Sequence, residues 1–258
     1  MSRQVFGNIV LNVRQWGSGE PLVLVHGIGA GSDLWLLQVE NLSKYFHVIA
    51  VDLRGFGRSD RPRGDHNYSL PIMAEDIRNV IRTLDLGPVH FLGTSLGGFI
   101  AQYLYATGPE DFRSLLLCHT AGQMTMPDHV IQARLTAIES MSMDDYAQMV
   151  VNQAVGPKAG EFAREWISEI LARNDPEIYG TVLKNVLCGF DMADQLSKIR
   201  VPTLVLVGES DQVIPVESGL RLAEEIPNTE LAVISDAGHV SYVEQPAAFQ
   251  KSILSFLT

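Results

Sequence analysis

A serine flanked two residues away on each side by glycine, Gly93-Thr94-Ser95-Leu96-Gly97, ends the run Val89-His90-Phe91-Leu92 and opens a helical pattern. A strand, a sharp turn with serine at its apex and a helix make up a nucleophile elbow. Its backbone is strained, so positions 93 and 97 need residues without a Cβ, and the hydroxyl is held out toward a substrate. A serine hydroxyl is a weak nucleophile until a base takes its proton and an acid orients that base. The chain supplies both, in order, further on. Asp211 lies in Gly208-Glu209-Ser210-Asp211, after one apolar run, and His239 lies in Ala237-Gly238-His239, after the last. Such a set suits acyl transfer through a covalent serine intermediate.

That chemistry needs donors for a developing oxyanion, each worth roughly 10²–10³ in rate. One is expected from the N–H of Leu96, the residue after the nucleophile, and another from the early loop His26-Gly27-Ile28-Gly29, at Ile28. His26 itself reads as a brace for that loop. Glu209 is the nearest competitor of Asp211, while Asp191 and Asp194 look like the start of a helix. The histidines at 26, 47, 66, 90, 119 and 129 do not follow the final strand. Gly27-Ile28-Gly29-Ala30-Gly31 lacks the spacing of a dinucleotide loop, so no cofactor and no metal is expected.

These loops must be brought to one edge. Short apolar runs bounded by Gly and Pro alternate with helical patterns, which predicts βαβ units around a parallel sheet. Residues 5–13 predict an edge hairpin and 17–19 a turn; 21–25, 48–51, the apolar run from 89 into the elbow, 115–118, 203–207 and 231–234 read as strands. Asp33 is expected to cap a helix carrying Leu34, Leu37 and Leu42. Ser69 should begin another, with Ile72, Ile77, Ile81 and Leu84 as its apolar stripe, and 216–225 and 247–257 should be helices. The segment 123–190 breaks the alternation. It is helical in pattern, rich in methionine (Met124, Met126, Met141, Met143, Met149) and without strand runs. It reads as a cap inserted between core segments 1–122 and 191–258, with its methionines, Phe162 and Trp166 as candidates for substrate contact.

A chain of 258 residues, 46% hydrophobic and 19% charged, suits one α/β domain with a large core. The net charge of −11 opposes binding to nucleic acid or to an anionic membrane surface and leaves a small molecule as the expected partner. Cys118 and Cys188 are too few for a disulfide framework or zinc site and are expected as buried, reduced thiols. The first ten residues have no apolar signal core, and no run approaches the roughly 18 residues of a membrane span. A cytoplasmic location is expected.

His26-Gly27-Ile28-Gly29, Asp52-Leu53-Arg54-Gly55-Phe56-Gly57-Arg58-Ser59, Gly93-Thr94-Ser95-Leu96-Gly97-Gly98, Gly208-Glu209-Ser210-Asp211 and Ala237-Gly238-His239 together resemble the α/β-hydrolase fold family, over essentially the whole chain. The resemblance implies a mostly parallel eight-stranded sheet flanked by helices, with a small helical cap. It makes Ser95 the nucleophile, His239 the base, Asp211 the orienting acid, and Ile28 and Leu96 the oxyanion donors. The cap, Val201-Pro202-Thr203 and Glu244-Gln245-Pro246 look similar to the carboxylesterase and 3-oxoadipate enol-lactonase branch. An ester or (enol-)lactone substrate is implied. Family members that cleave alkyl halides or epoxides use aspartate where this chain has Ser95. Cofactor-free perhydrolases and C–C bond hydrolases of ring-fission products keep the triad, but the latter carry a proline where this chain has Ala30. A ligand receptor on the same scaffold is the non-enzymatic alternative.

Overall fold

A computed structural model describes residues 2–258. Its strands are β1 (Ser2–Phe6), β2 (Ile9–Trp16), β3 (Glu20–Val25), β4 (Phe46–Val51), β5 (Val89–Thr94), β6 (Phe112–Cys118), β7 (Gln123–Met124), β8 (Phe190–Asp191), β9 (Thr203–Gly208) and β10 (Thr229–Ile234). Its helices are α1 (Leu36–Leu42), α2 (Leu70–Thr83), α3 (Leu96–Thr107), α4 (Asp128–Ser140), α5 (Met143–Ala154), α6 (Glu161–Ala172), α7 (Pro176–Val182), α8 (Ala193–Leu196), α9 (Val216–Glu225), α10 (Ser241–Glu244) and α11 (Pro246–Leu257).

Eight strands form one sheet in the order β1-β2-β4-β3-β5-β6-β9-β10. From β4 to β10 all neighbours are parallel; β2 runs antiparallel to β4 and to β1, its partner in the expected hairpin. The central strands are covered on both faces, which is why 22–25 and 203–208 read as unbroken apolar runs. At the edge, β10 leaves Leu231 and Val233 exposed. The chain crosses from β3 to β4 in one direction and from β4 past β3 to β5 in the other. Right-handed crossovers therefore put α1 and α2 on opposite faces. The C-terminal ends of β3, β4, β5, β6, β9 and β10 share one edge.

Local details depart from the sequence expectations at four places. Asp33 does not cap a helix, because its carboxylate is taken by Arg14 at 2.8 Å and Arg58 at 2.9 Å; the chain enters α1 through a 3₁₀ turn, Ser32–Trp35. Ser69 does cap α2, but the buried stripe is Met73, Ile77, Val80 and Ile81, with Ile72 and Leu84 only half-buried. Asp76 is buried in the same helix because Arg54 grips both its oxygens, at 2.5 and 2.6 Å. The segment 123–190 is helical, but it opens on a short strand: β7 pairs antiparallel with β8 and ties the two ends of the excursion together. Both cysteines are free, Cys118 buried and Cys188 only half-buried.

Candidate active site

Ser95 sits between β5 and α3 at φ 53°, ψ −118°, a conformation that side chains adopt only under constraint. The constraints are visible. Its N–H donates to the Cys118 carbonyl at 2.9 Å, and its carbonyl accepts from Thr120 Oγ1 at 3.1 Å, so both peptide groups are anchored to the end of β6. Close approach decides the two flanking glycines. A Cβ at 93 would fall 2.2 Å from the carbonyl oxygen of residue 97, and one at 97 would fall 2.2 Å from that of Val25. The elbow fits only without those side chains.

Asp211 and His239 come from the loops after β9 and β10. His239 Nδ1 donates to Asp211 Oδ2 at 2.7 Å. A carboxylate only accepts, so Nδ1 carries the hydrogen and Nε2 is left as the basic nitrogen. Asp211 Oδ1 accepts the N–H groups of Val213 at 2.8 Å and Ile214 at 3.0 Å, which fixes the plane of the carboxylate. Burial alone would push this carboxyl up, but the charge and hydrogen bond of His239 and the approach of the His119 imidazole hold it well below the usual carboxylate range. Glu209, the competitor, accepts the N–H of Asp236 at 3.1 Å and plays a local part in its own loop.

His119 is the residue that sequence reasoning passed over. It directly follows β6 at φ 49°, fully buried, with Nδ1 3.4 Å from Asp211 Oδ2 and Nε2 2.7 Å from Ser241 Oγ. The 3.4 Å contact is too skewed to count as a full hydrogen bond. Burial lowers the pKa of His119, so the ring is neutral at pH 7. His119, Asp211 and His239 are also spaced like metal ligands. The 2.7 Å separation of Nδ1 and Oδ2 is that of a direct hydrogen bond, whereas a tetrahedral ion about 2 Å from each would hold them roughly 3.3 Å apart. The cluster fits a hydrogen-bonded acid and base better than a metal centre.

The loop after β3 reaches the serine directly: a Cβ on Gly27 would lie 3.1 Å from Ser95 Cβ. His26 braces that loop as expected, with Nδ1 2.7 Å from the Gly27 carbonyl and Nε2 accepting the Leu53 N–H at 3.0 Å. Among the described residues, neither the Ile28 N–H nor the Leu96 N–H donates a hydrogen bond. Ser95 and His239 line one cavity with Ile28. Ser95 Oγ and His239 Nε2 are not hydrogen-bonded to each other among the described residues. Contacts of this kind often tighten only around substrate.

Residues 20–162 and 144–246 match the α/β-hydrolase fold family. The chain belongs to that family. A 3-oxoadipate enol-lactonase of Acinetobacter baylyi is 28% identical to this hydrolase-fold chain over 251 residues, covering 95% of this chain and 92% of the relative. A pimeloyl-[acyl-carrier protein] methyl ester esterase of Aeromonas salmonicida is also 28% identical, covering 96% and 99%. The solved structure of a thermophilic esterase from Thermogutta terrifontis superposes with a TM-score of 0.89 at 27% identity, covering 96% and 93%.

The cavity of this family member measures about 410 Å³. The sheet edge supplies Ser95, Ile28, Val213 and His239, and α4 to α7 supply much of the opposite wall, including Met149, Ile167, Leu171 and Tyr179. Of the five methionines proposed for substrate contact, Met124 and Met149 reach it. Phe162 and Trp166 do not: their rings pack against each other in a tilted arrangement at 5.3 Å, and Phe162 is 62% exposed. The helical spacing that identifies an amphipathic helix does not say which apolar face meets the cavity. Among the described residues no helix is long and apolar enough to cross a membrane.

Proposed function

We propose that this chain is a serine hydrolase of carboxylic esters or (enol-)lactones, with residues 123–190 as its cap. The observation that carries the reading is convergence on one cavity: a strained, outward-held Ser95, an imidazole tied to a buried carboxylate, and two amides with no acceptor. His239 Nε2 takes the Ser95 proton as Oγ attacks the substrate carbonyl, and the N–H groups of Ile28 and Leu96 receive the oxyanion. Collapse breaks the C–O bond, and the departing alkoxide takes the proton from His239. Water then attacks the acyl-serine, losing its proton to the same nitrogen, and Ser95 leaves with that proton. An ester yields acid and alcohol, and a lactone yields both in one opened molecule. The ester- and lactone-cleaving relatives support this substrate class.

Replacing Ser95 with alanine is expected to lower kcat on p-nitrophenyl esters by about 10⁴-fold or more, because triad members act as a unit. A serine-directed phosphonate should add to one peptide, that holding Ser95, as read by mass spectrometry. Turnover of the alanine variant near the wild-type rate, or labelling elsewhere, overturns the reading.

A further inference from the structure

The wall of the cavity contributed by α4 contains an anomaly. Val130, Ala133, Arg134 and Ala137 face the cavity at helical spacing, with His129 at the start of the same wall, so a guanidinium that stays charged occupies a stripe otherwise made of apolar side chains and one imidazole. No Asp, Glu or Lys lines the cavity, and among the described residues Arg134 has neither a carboxylate partner nor a hydrogen bond. Arg14, Arg54, Arg58 and Arg63 all have carboxylate partners. An uncompensated cation in a half-buried position costs free energy, in a molecule whose net charge of −11 offers acids to spare.

Two phenols stand beside it. Tyr146 from α5 and Tyr179 from α7 line the same cavity, with ring centroids 5.4 Å apart, and Arg134 is close enough for its charge to act on both. Burial pushes both hydroxyls above their ordinary range, so each keeps its proton; Tyr179 directs its own toward Tyr146, which leaves the Tyr146 O–H to donate. A planar, always-charged fork with a neutral O–H donor beside it matches a carboxylate, which needs several donors and tolerates no nearby acid.

Resting on the reading of the site as an ester or lactone hydrolase, we infer that Arg134, with Tyr146, recognises an ionised carboxyl group carried by the substrate in addition to the bond that is cleaved. The substrate class is then a half-ester or lactone of a dicarboxylic acid, small enough for a cavity of about 410 Å³. Arg134 is a specificity residue in this scheme and takes no part in bond cleavage.

The test compares mono-p-nitrophenyl glutarate with p-nitrophenyl pentanoate at pH 7.5. The wild type should favour the glutarate in kcat/KM. Arg134→Gln should lower that preference by roughly ten- to a hundred-fold, the range of a hydrogen-bonded charge, and Arg134→Lys should restore part of it. An unchanged preference in Arg134→Gln, with its melting temperature showing a folded protein, overturns the inference. Binding of monomethyl glutarate to Ser95→Ala, followed by calorimetry, separates this idea from the catalytic one. Loss of that binding in the Ser95→Ala/Arg134→Gln double variant supports the subsite even if no ester is hydrolysed. Equal binding by both proteins, or none by either, overturns it whatever the esters do.

Discussion

Asp211 has its two oxygens divided between tasks: one holds the backbone of its own loop, the other faces His239 and His119. Because its carboxyl is held well below the usual range, it stays ionised near neutral pH. Loss of activity on mild acidification is therefore not expected from Asp211. His119 can donate to that carboxylate only as the Nδ1–H tautomer, with Ser241 donating to Nε2. Its Nδ1 approaches the same Asp211 oxygen that His239 uses, so we expect it to act as a positioning residue. Replacing His119 with phenylalanine should send all of that charge to His239, moving the acid limb of kcat/KM to higher pH and lowering kcat by about tenfold. Asparagine, whose amide N–H can stand near Nδ1, should bring the limb back. A lowered melting temperature with an unmoved limb would mean that His119 only fills space.

Among the elements, the short helix α10 does more for the site than its length suggests. Glu244, its last residue, accepts the N–H groups of Gly238 at 3.0 Å and Val240 at 3.1 Å, on either side of His239. It also accepts that of Gly156 at 2.6 Å, while the His239 N–H donates to Ala154 at the end of α5. The histidine loop is thus clamped between core and proposed cap. Glu244→Ala should destabilise the fold by about 1–3 kcal/mol, the scale of buried donors left unpaired, and lower kcat while leaving KM nearly unchanged. A change confined to KM would count against a clamp. Glu244 was visible in the sequence only as part of a family-like segment, Glu244-Gln245-Pro246, because a carboxylate that serves backbone amides of 156, 238 and 240 leaves no periodic trace. The elbow was legible for the opposite reason: its serine, both glycines, strand and helix are contiguous. The parallel strands were legible too, since burial on both faces writes an apolar run. His119 and Arg134 were not, because each takes its meaning from partners brought near by tertiary packing. At Arg134 a signal existed in the form of a charge at an apolar helical position, but surface helices carry such charges routinely. The Asp33 cap failed because two arginines from distant elements outcompeted a local hydrogen bond.

At the scale of the molecule, two fully buried histidines couple the fold to pH. Desolvation lowers the pKa of His26 and of His119, outweighing the nearby carboxylates Asp52 and Asp211. Protonating His26 would also destroy the bond that its Nε2 accepts from Leu53. In the unfolded chain both rings take up protons near pH 6.5, and in the folded chain they do so only at lower pH. The unfolded state therefore binds more protons in this window, so stability falls as pH drops below about 6.5 and continues to fall until the folded-state values are reached. Each group contributes a slope of roughly 1.4 kcal/mol per pH unit. Asp76 opposes them, since burial raises its carboxyl despite Arg54, but it is one group against two and acts nearer the carboxylate range. Asp211 acts with them below about pH 4, where the unfolded chain takes up its proton and the folded chain does not. Urea denaturation at pH 7.5, 6.5 and 5.5 should give midpoints that are nearly level between the first two and clearly lower at the third. His26→Asn should be less stable at pH 7.5 yet show a shallower decline toward 5.5. Level midpoints across all three values would mean that these rings remain accessible to protons in the folded protein, and the tight packing of His26 against Gly27 and Leu53 could not then hold in solution.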